Sequence, residues 1–119
     1  MSEDEILDPT AVARLRRLGG DEFVGKMIAI FLSFVPQKLA AARAGLVAGD
    51  LKAVGDAVHP LKSSAGGIGA RVMFELAGRM ERLAMQHQPD TLPGLLDELD
   101  AAFALVRPRL EALRPNPKP

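Results

Sequence analysis

The sequence predicts an all-α protein, an antiparallel up-down-up-down four-helix bundle with a short additional N-terminal helix. Three observations predict it. Hydrophobic residues fill 48% of the 119 positions but aromatics only 4%, with no Trp or Tyr, while Ala and Leu dominate, and this mixture favours helices over strands. Apolar side chains recur every three or four residues through four long segments. The connections between those segments are short and rich in Gly, Pro and Asp, which turns successive helices back on one another. One domain is expected, because half of this length could not build an ordinary core.

Residues 1–7 open with Met1-Ser2-Glu3-Asp4-Glu5 and are expected to be disordered. Asp8-Pro9 then supplies an N-cap followed by proline at the first helical position, and Val12, Leu15 and Leu18 keep helical spacing until Gly19-Gly20 ends this short first helix. Asp21 caps the next segment. Its stripe of Phe23, Val24, Met27, Ile28, Phe31 and Leu32 resumes beyond Pro36 as Leu39, Ala42 and Leu46, so Pro36 is expected to kink or divide the helix. Met27, Phe31, Leu32 and Phe34 read as core.

Gly49-Asp50 makes the following turn, and Val54, Val58, Leu61, Ala65, Ile68 and Val72 form a buried seam. Gly69-Ala70 interrupts it, after which Val72, Leu76, Met80 and Leu83 carry a helix toward Gln86. His87-Gln88-Pro89-Asp90 reads as loop. A last helix starts near Thr91 or Pro93, uses Leu92, Leu95, Leu96, Leu99, Phe103 and Val106, and meets Pro108 near its end. Residues 114–119 read as a Pro-rich tail that cannot sustain a helix.

Composition excludes several functions. Fifteen Lys and Arg balance fifteen Asp and Glu, so no net field draws in nucleic acid or acidic membrane. Without cysteine there is no disulfide, thiolate nucleophile or Cys-ligated metal site. The two histidines show no metal-ligand spacing, and no Walker A or dinucleotide fingerprint is present. The acidic N-terminus does not resemble a secretory signal, and no apolar run approaches the roughly 18 residues of a membrane span. A soluble, cytoplasmic, monomeric protein is expected.

What chemistry remains centres on His59. Positions 54, 58, 61, 65 and 68 form the seam, whereas Gly55, His59, Lys62 and Gly66 form the adjacent stripe, so the imidazole is expected to reach solvent. Lys62 stands one turn on, with Ser63 and Gly66 as small neighbours. Each helical glycine costs about 1 kcal/mol relative to alanine, and close approach of another molecule's backbone is one compensating reason for Gly55, Gly66 and Gly67. A neutral imidazole is a nucleophile at cellular pH and can accept a phosphoryl group, for which a nearby ammonium compensates charge on the equatorial oxygens. With no nucleotide signature, the donor must be another protein.

The run His59-Pro60-Leu61-Lys62-Ser63-Ser64-Ala65-Gly66-Gly67-Ile68-Gly69-Ala70 resembles the phosphoacceptor motif of histidine-containing phosphotransfer (Hpt) domains. The likeness extends to Leu18-Gly19-Gly20-Asp21, to Phe31-Leu32 and Pro36, to Ala48-Gly49-Asp50-Leu51, and to Glu75-Leu76-Ala77. The resemblance implies an Hpt bundle over residues 8–113 that relays a phosphoryl group between response-regulator receiver aspartates in a two-component phosphorelay. In such a relay His59 is the phosphoacceptor, Lys62 compensates phosphate charge, and Ser63 and Gly66 give the receiver room. The implied partners are receiver domains and a hybrid sensor histidine kinase. The resemblance further implies a phosphoryl carrier that binds no cofactor itself, with the Mg²⁺ on the receiver and no ATP-dependent kinase activity of its own. Two residues depart from the pattern. Ser63 stands where glycine is frequent, which reduces clearance, and Pro60 removes the donor to the Asp56 carbonyl and is expected to bend the helix beside His59. The alternative function is a non-catalytic helical adaptor that docks a signalling partner without phosphorylation.

Overall fold

The computed structural model describes residues 1–114, and every described element is a helix or a turn. The helices are α1 (Glu3–Ile6), α2 (Pro9–Ala48), α3 (Leu51–Ile68), α4 (Arg71–Met85) and α5 (Leu92–Leu113). α2 packs on α3, α3 on α4, α4 on α5 and α5 back on α2, which closes a four-helix ring, while α1 lies against α4 and α5. The all-α bundle expected from the hydrophobic spacing is thus the observed fold.

Residues 1–7 differ from the expectation of disorder. Ser2 and Glu5 form a reciprocal capping box around the single turn of α1, Ile6 is buried, and Glu3 pairs with Arg109 of α5 at 2.6 Å. A buried side chain and a capped turn together offset the entropy of ordering so short a segment. The tail expected at 114–119 lies, beyond Arg114, outside the described residues.

The break in α2 falls at Gly20 and not at Pro36. Gly20 has φ +78° and ψ −172°, a conformation that an L side chain resists, and it joins a short first arm, residues 9–19, to a long second arm, residues 21–48. Pro36 is exposed and the helix continues through it, with the only non-helical backbone angles of α2 at Gly20. The first arm is anchored at its base. Asp8 N–H donates to the Gly69 carbonyl at 2.8 Å, and a Cβ on Gly69 would stand 2.7 Å from Ala11 Cβ, so only glycine lets the arm close on the turn between α3 and α4.

The core is apolar throughout: no polar or charged residue among those described is buried. Val24, Ile28, Phe31 and Val35 of α2 face Val54, Val58 and Leu61 of α3, Met73 and Met80 of α4, and Leu96, Leu99 and Phe103 of α5. Each such side chain contributes about 1.5–3 kcal/mol on burial. Phe31 and Phe103 meet edge to face with centroids 6.2 Å apart. α2 is long and apolar enough to cross a membrane by length and composition, contrary to the reading of its sequence, yet its buried residues are those that fill this core.

Candidate functional site

α3 begins at Asp50, whose side chain accepts from Ala53 N–H at 3.0 Å, and ends at Gly69 in the left-handed conformation. Val54, Ala57, Val58, Leu61, Ala65 and Ile68 are buried. That fixes the rotation of the helix, and His59, one position past Val58, leaves the core with its side chain 62% exposed. Val72, expected to extend the seam, is only partly buried at the start of α4. The helix runs unbroken through Pro60.

α4 lies antiparallel beside α3, and small residues let the two approach. Gly55 faces Ala84, His59 faces Glu81, Lys62 crosses Gly78, and Gly66 faces Phe74. A Cβ on Gly78 would stand 3.4 Å from Lys62 Cδ, so the lysine stem lies across bare backbone. Its Nζ reaches Glu81 Oε1 at 2.8 Å, while Glu81 Oε2 takes His59 Nδ1 at 2.5 Å.

Glu81 is 17% exposed, the most sheltered of the three. The Lys62 hydrogen bond, and after it that of His59, holds its carboxyl below the ordinary carboxylate range against the opposing effect of burial. It is ionised at neutral pH and can only accept. His59 Nδ1 must therefore carry the hydrogen, which in neutral imidazole leaves the lone pair on Nε2. No group among those described bonds to Nε2.

Sequence reasoning placed His59 and Lys62 together and missed Glu81. Its partner is 22 positions away on another helix, and only the antiparallel pairing of α3 with α4 brings it in. Ser63 and Gly66 are both exposed beside the histidine stripe. Gly66 also has a duty inside the fold, since a Cβ there would stand 3.2 Å from Phe74 Cδ2, whereas Gly67 opens on empty space. His87, which the sequence left in a loop, adopts φ 55° and lines the same groove as His59, together with Leu51, Gly55 and Met85. Among the described residues no three His, Asp or Glu side chains gather to hold a metal.

A second concavity of about 340 Å³ flanks the histidine helix on its α2 side, where Leu15, Ile30, Phe34 and Gly67 form an apolar lining. Of the first arm's apolar residues Val12 is buried, Leu15 is partly buried and Leu18 is 73% exposed. Of the residues read as core, Phe31 is buried, Leu32 and Phe34 are partly buried and pack against the core, and Met27 and Phe34 also line this cleft.

A family model described as Hpt domain matches residues 26–108. The fold is similar to that of histidine-containing phosphotransfer protein B from Pseudomonas aeruginosa PAO1, with a TM-score of 0.85, 24% identity, and coverage of 89% of this chain and 91% of that one. No curated protein matches the sequence.

Proposed function

The chain belongs to the Hpt domain family, and from that premise we propose that His59 is the phosphoryl acceptor of a two-component phosphorelay. The observation that carries the proposal is the anchoring of Nδ1 by Glu81, which leaves Nε2 as the free nucleophilic nitrogen of a side chain 62% exposed. Histidine phosphotransfer as a family function fits a chain with one such imidazole and no nucleotide-binding motif.

The step is an in-line displacement. The Nε2 lone pair attacks phosphorus of an aspartyl phosphate on a receiver domain, the Nε2–P bond forms, and the bond from phosphorus to the carboxylate oxygen breaks with its electron pair leaving on that oxygen. Lys62 gives one Nζ–H to Glu81 and keeps two for the equatorial oxygens. Exposed Ser63 and Gly66 admit the receiver's loops, and the apolar cleft at Leu15 and Ile30 takes its apolar contact surface. The aspartate and the Mg²⁺ are the receiver's. Transfer to a second receiver is the reverse step, so the protein is a carrier with no kinase activity of its own, acting as a monomer in the cytoplasm.

The test incubates the protein with a phosphorylated receiver. Label is expected on the wild type, acid-labile and base-stable, and lost in His59→Gln. Equal label on both proteins, or none on either, overturns the proposal; a receiver that binds without label would instead describe an adaptor.

A further inference from the structure

We infer that Glu81 keeps Nδ1 of His59 protonated after the phosphoryl group has arrived on Nε2, and so makes phospho-His59 a rapidly discharging carrier rather than a phosphate store. The inference rests on the acceptor role given to His59 above and assigns Glu81 as a positioning residue, because it acts through the imidazole.

When the Nε2 lone pair forms the bond to phosphorus, the ring becomes an imidazolium bearing N–H at Nδ1 and phosphorus at Nε2. Two fates are open to it. Loss of the Nδ1 proton gives a neutral phosphoimidazole, from which phosphorus can depart only by leaving imidazolide, a poor leaving group. Retention of the proton lets the electron pair of the P–N bond return to Nε2 of a neutral imidazole while the phosphoryl group passes to a carboxylate or to water. The lifetime of the phosphoprotein thus depends on the proton affinity of Nδ1.

Every charged group near the ring bears on that affinity. From α3, Lys52 and Asp56 line the groove but pair with each other at 2.8 Å. Lys62, also from α3, is bound to Glu81 Oε1. From α4, Arg82 lies back over Gly78, its Nη1 3.5 Å from where a Cβ would be. From the loop after α4, His87 lines the same groove. Glu81 alone among the described residues bonds the ring, at 2.5 Å, and it does so from a sheltered position with Lys62 holding it ionised. An anionic carboxylate at that distance favours the cationic ring, so it raises the proton affinity of Nδ1.

The closing experiment labels wild type and Glu81→Gln with phosphoramidate, a donor that needs no receiver, and follows Nδ1 of phospho-His59 by 15N NMR against pH together with the rate of hydrolysis. Glutamine preserves the shape and can accept from Nδ1 through its amide oxygen, but it carries no charge. The variant's titration midpoint is expected to fall by about one pH unit, a tenfold loss of proton affinity. Above both midpoints its hydrolysis is expected to be about tenfold slower, since the rate follows the protonated fraction. Phospho-His87, exposed and not hydrogen-bonded to Glu81, is the internal reference and should shift less than phospho-His59 between the two proteins. Equal midpoints for phospho-His59, faster hydrolysis in the variant, or a wild type that takes no phosphoryl group on His59 overturns the inference. Labelling by phosphoramidate with the expected shift, but never by a receiver, would support the inference while refuting the relay.

Discussion

Gly66 of α3 and Phe74 of α4 share one volume: a Cβ on the glycine would stand 3.2 Å from Cδ2 and 3.4 Å from Cε2 of the ring. The missing side chain at Gly66 is thereby accounted for by packing within the bundle, whatever a partner also gains from it. In Gly66→Ala the ring must yield by a few tenths of an ångström, which opposes a gain in helix propensity of about 1 kcal/mol. Urea unfolding of Gly66→Ala should therefore show a net change under about 1 kcal/mol. In a Phe74→Ala background the same substitution should stabilise by about 1 kcal/mol, and equal effects in the two backgrounds would show that the contact has no energetic weight.

Lys62 lies between two demands, one on Glu81 and one on the incoming phosphoryl oxygens. Lys62→Ala removes both. Transfer from a phosphorylated receiver is expected to slow about tenfold, the weight of one partly exposed charge-assisted contact. The far-UV circular dichroism should be unchanged, because the Lys62 side chain is 31% exposed and lies outside the buried apolar core. An unchanged rate would show this ammonium to be dispensable.

What could be read from the sequence follows how local each determinant is. The seam Val54, Val58, Leu61, Ala65 and Ile68 fixes the rotation of α3 without reference to any other helix, so the exposure of His59 was legible. Glu81 was not, because its role depends on the register between α3 and α4 and it sits among ordinary-looking surface charges, between Arg79 and Arg82. The break at Gly19-Gly20 was legible too, since glycine is the residue that takes φ +78°, whereas exposed Pro36, expected to kink or divide the helix, is carried within it. The N-terminal turn did carry a local signal, the Ser2-Glu3-Asp4-Glu5 spacing of a capping box, which only the burial of Ile6 made decisive.

Glu81 also ties stability to pH. Its folded-state carboxyl lies below the ordinary value of 4.5, chiefly through Lys62, so its contribution is complete above about that pH and is lost as pH falls through the folded value. Glu3, Glu5 and Asp8 are lowered in the same direction by Arg109, Ser2 and Thr10 respectively. The melting temperature should vary little between about pH 7 and 5.5 from these groups and decline below about pH 4.5. Glu81→Gln should decline less steeply there, and a steeper acid limb in the variant would contradict the assignment.

Ile30 is 56% exposed at the mouth of the apolar cleft, where Leu15 is partly buried. An aspartate at position 30 places a charge in a surface that a receiver must dehydrate, while an exposed site costs the fold little. Ile30→Asp should raise the KM for a phosphorylated receiver several-fold and leave labelling of His59 by phosphoramidate unchanged. Leu15→Ala should act in the same direction, provided its melt shows a folded protein. Normal receiver kinetics in both variants would remove this cleft from the docking surface.

Pro60 raises a sharper question, since it follows the imidazole directly in a helix that continues eight residues beyond it to Ile68. A proline in a helix interior costs about 3 kcal/mol relative to alanine, through the lost donor and the clash with the carbonyl four residues back, here that of Asp56. α3 bears that cost without breaking. Pro60→Ala restores the donor and should stabilise the fold by about 1–3 kcal/mol in urea unfolding. If the proline sets the aim of His59 toward an incoming phosphoryl group, the stabilised variant should accept it more slowly from a receiver, a loss of function accompanying a gain in stability. A stabilised protein with undiminished transfer would show that the geometry of the site does not depend on Pro60.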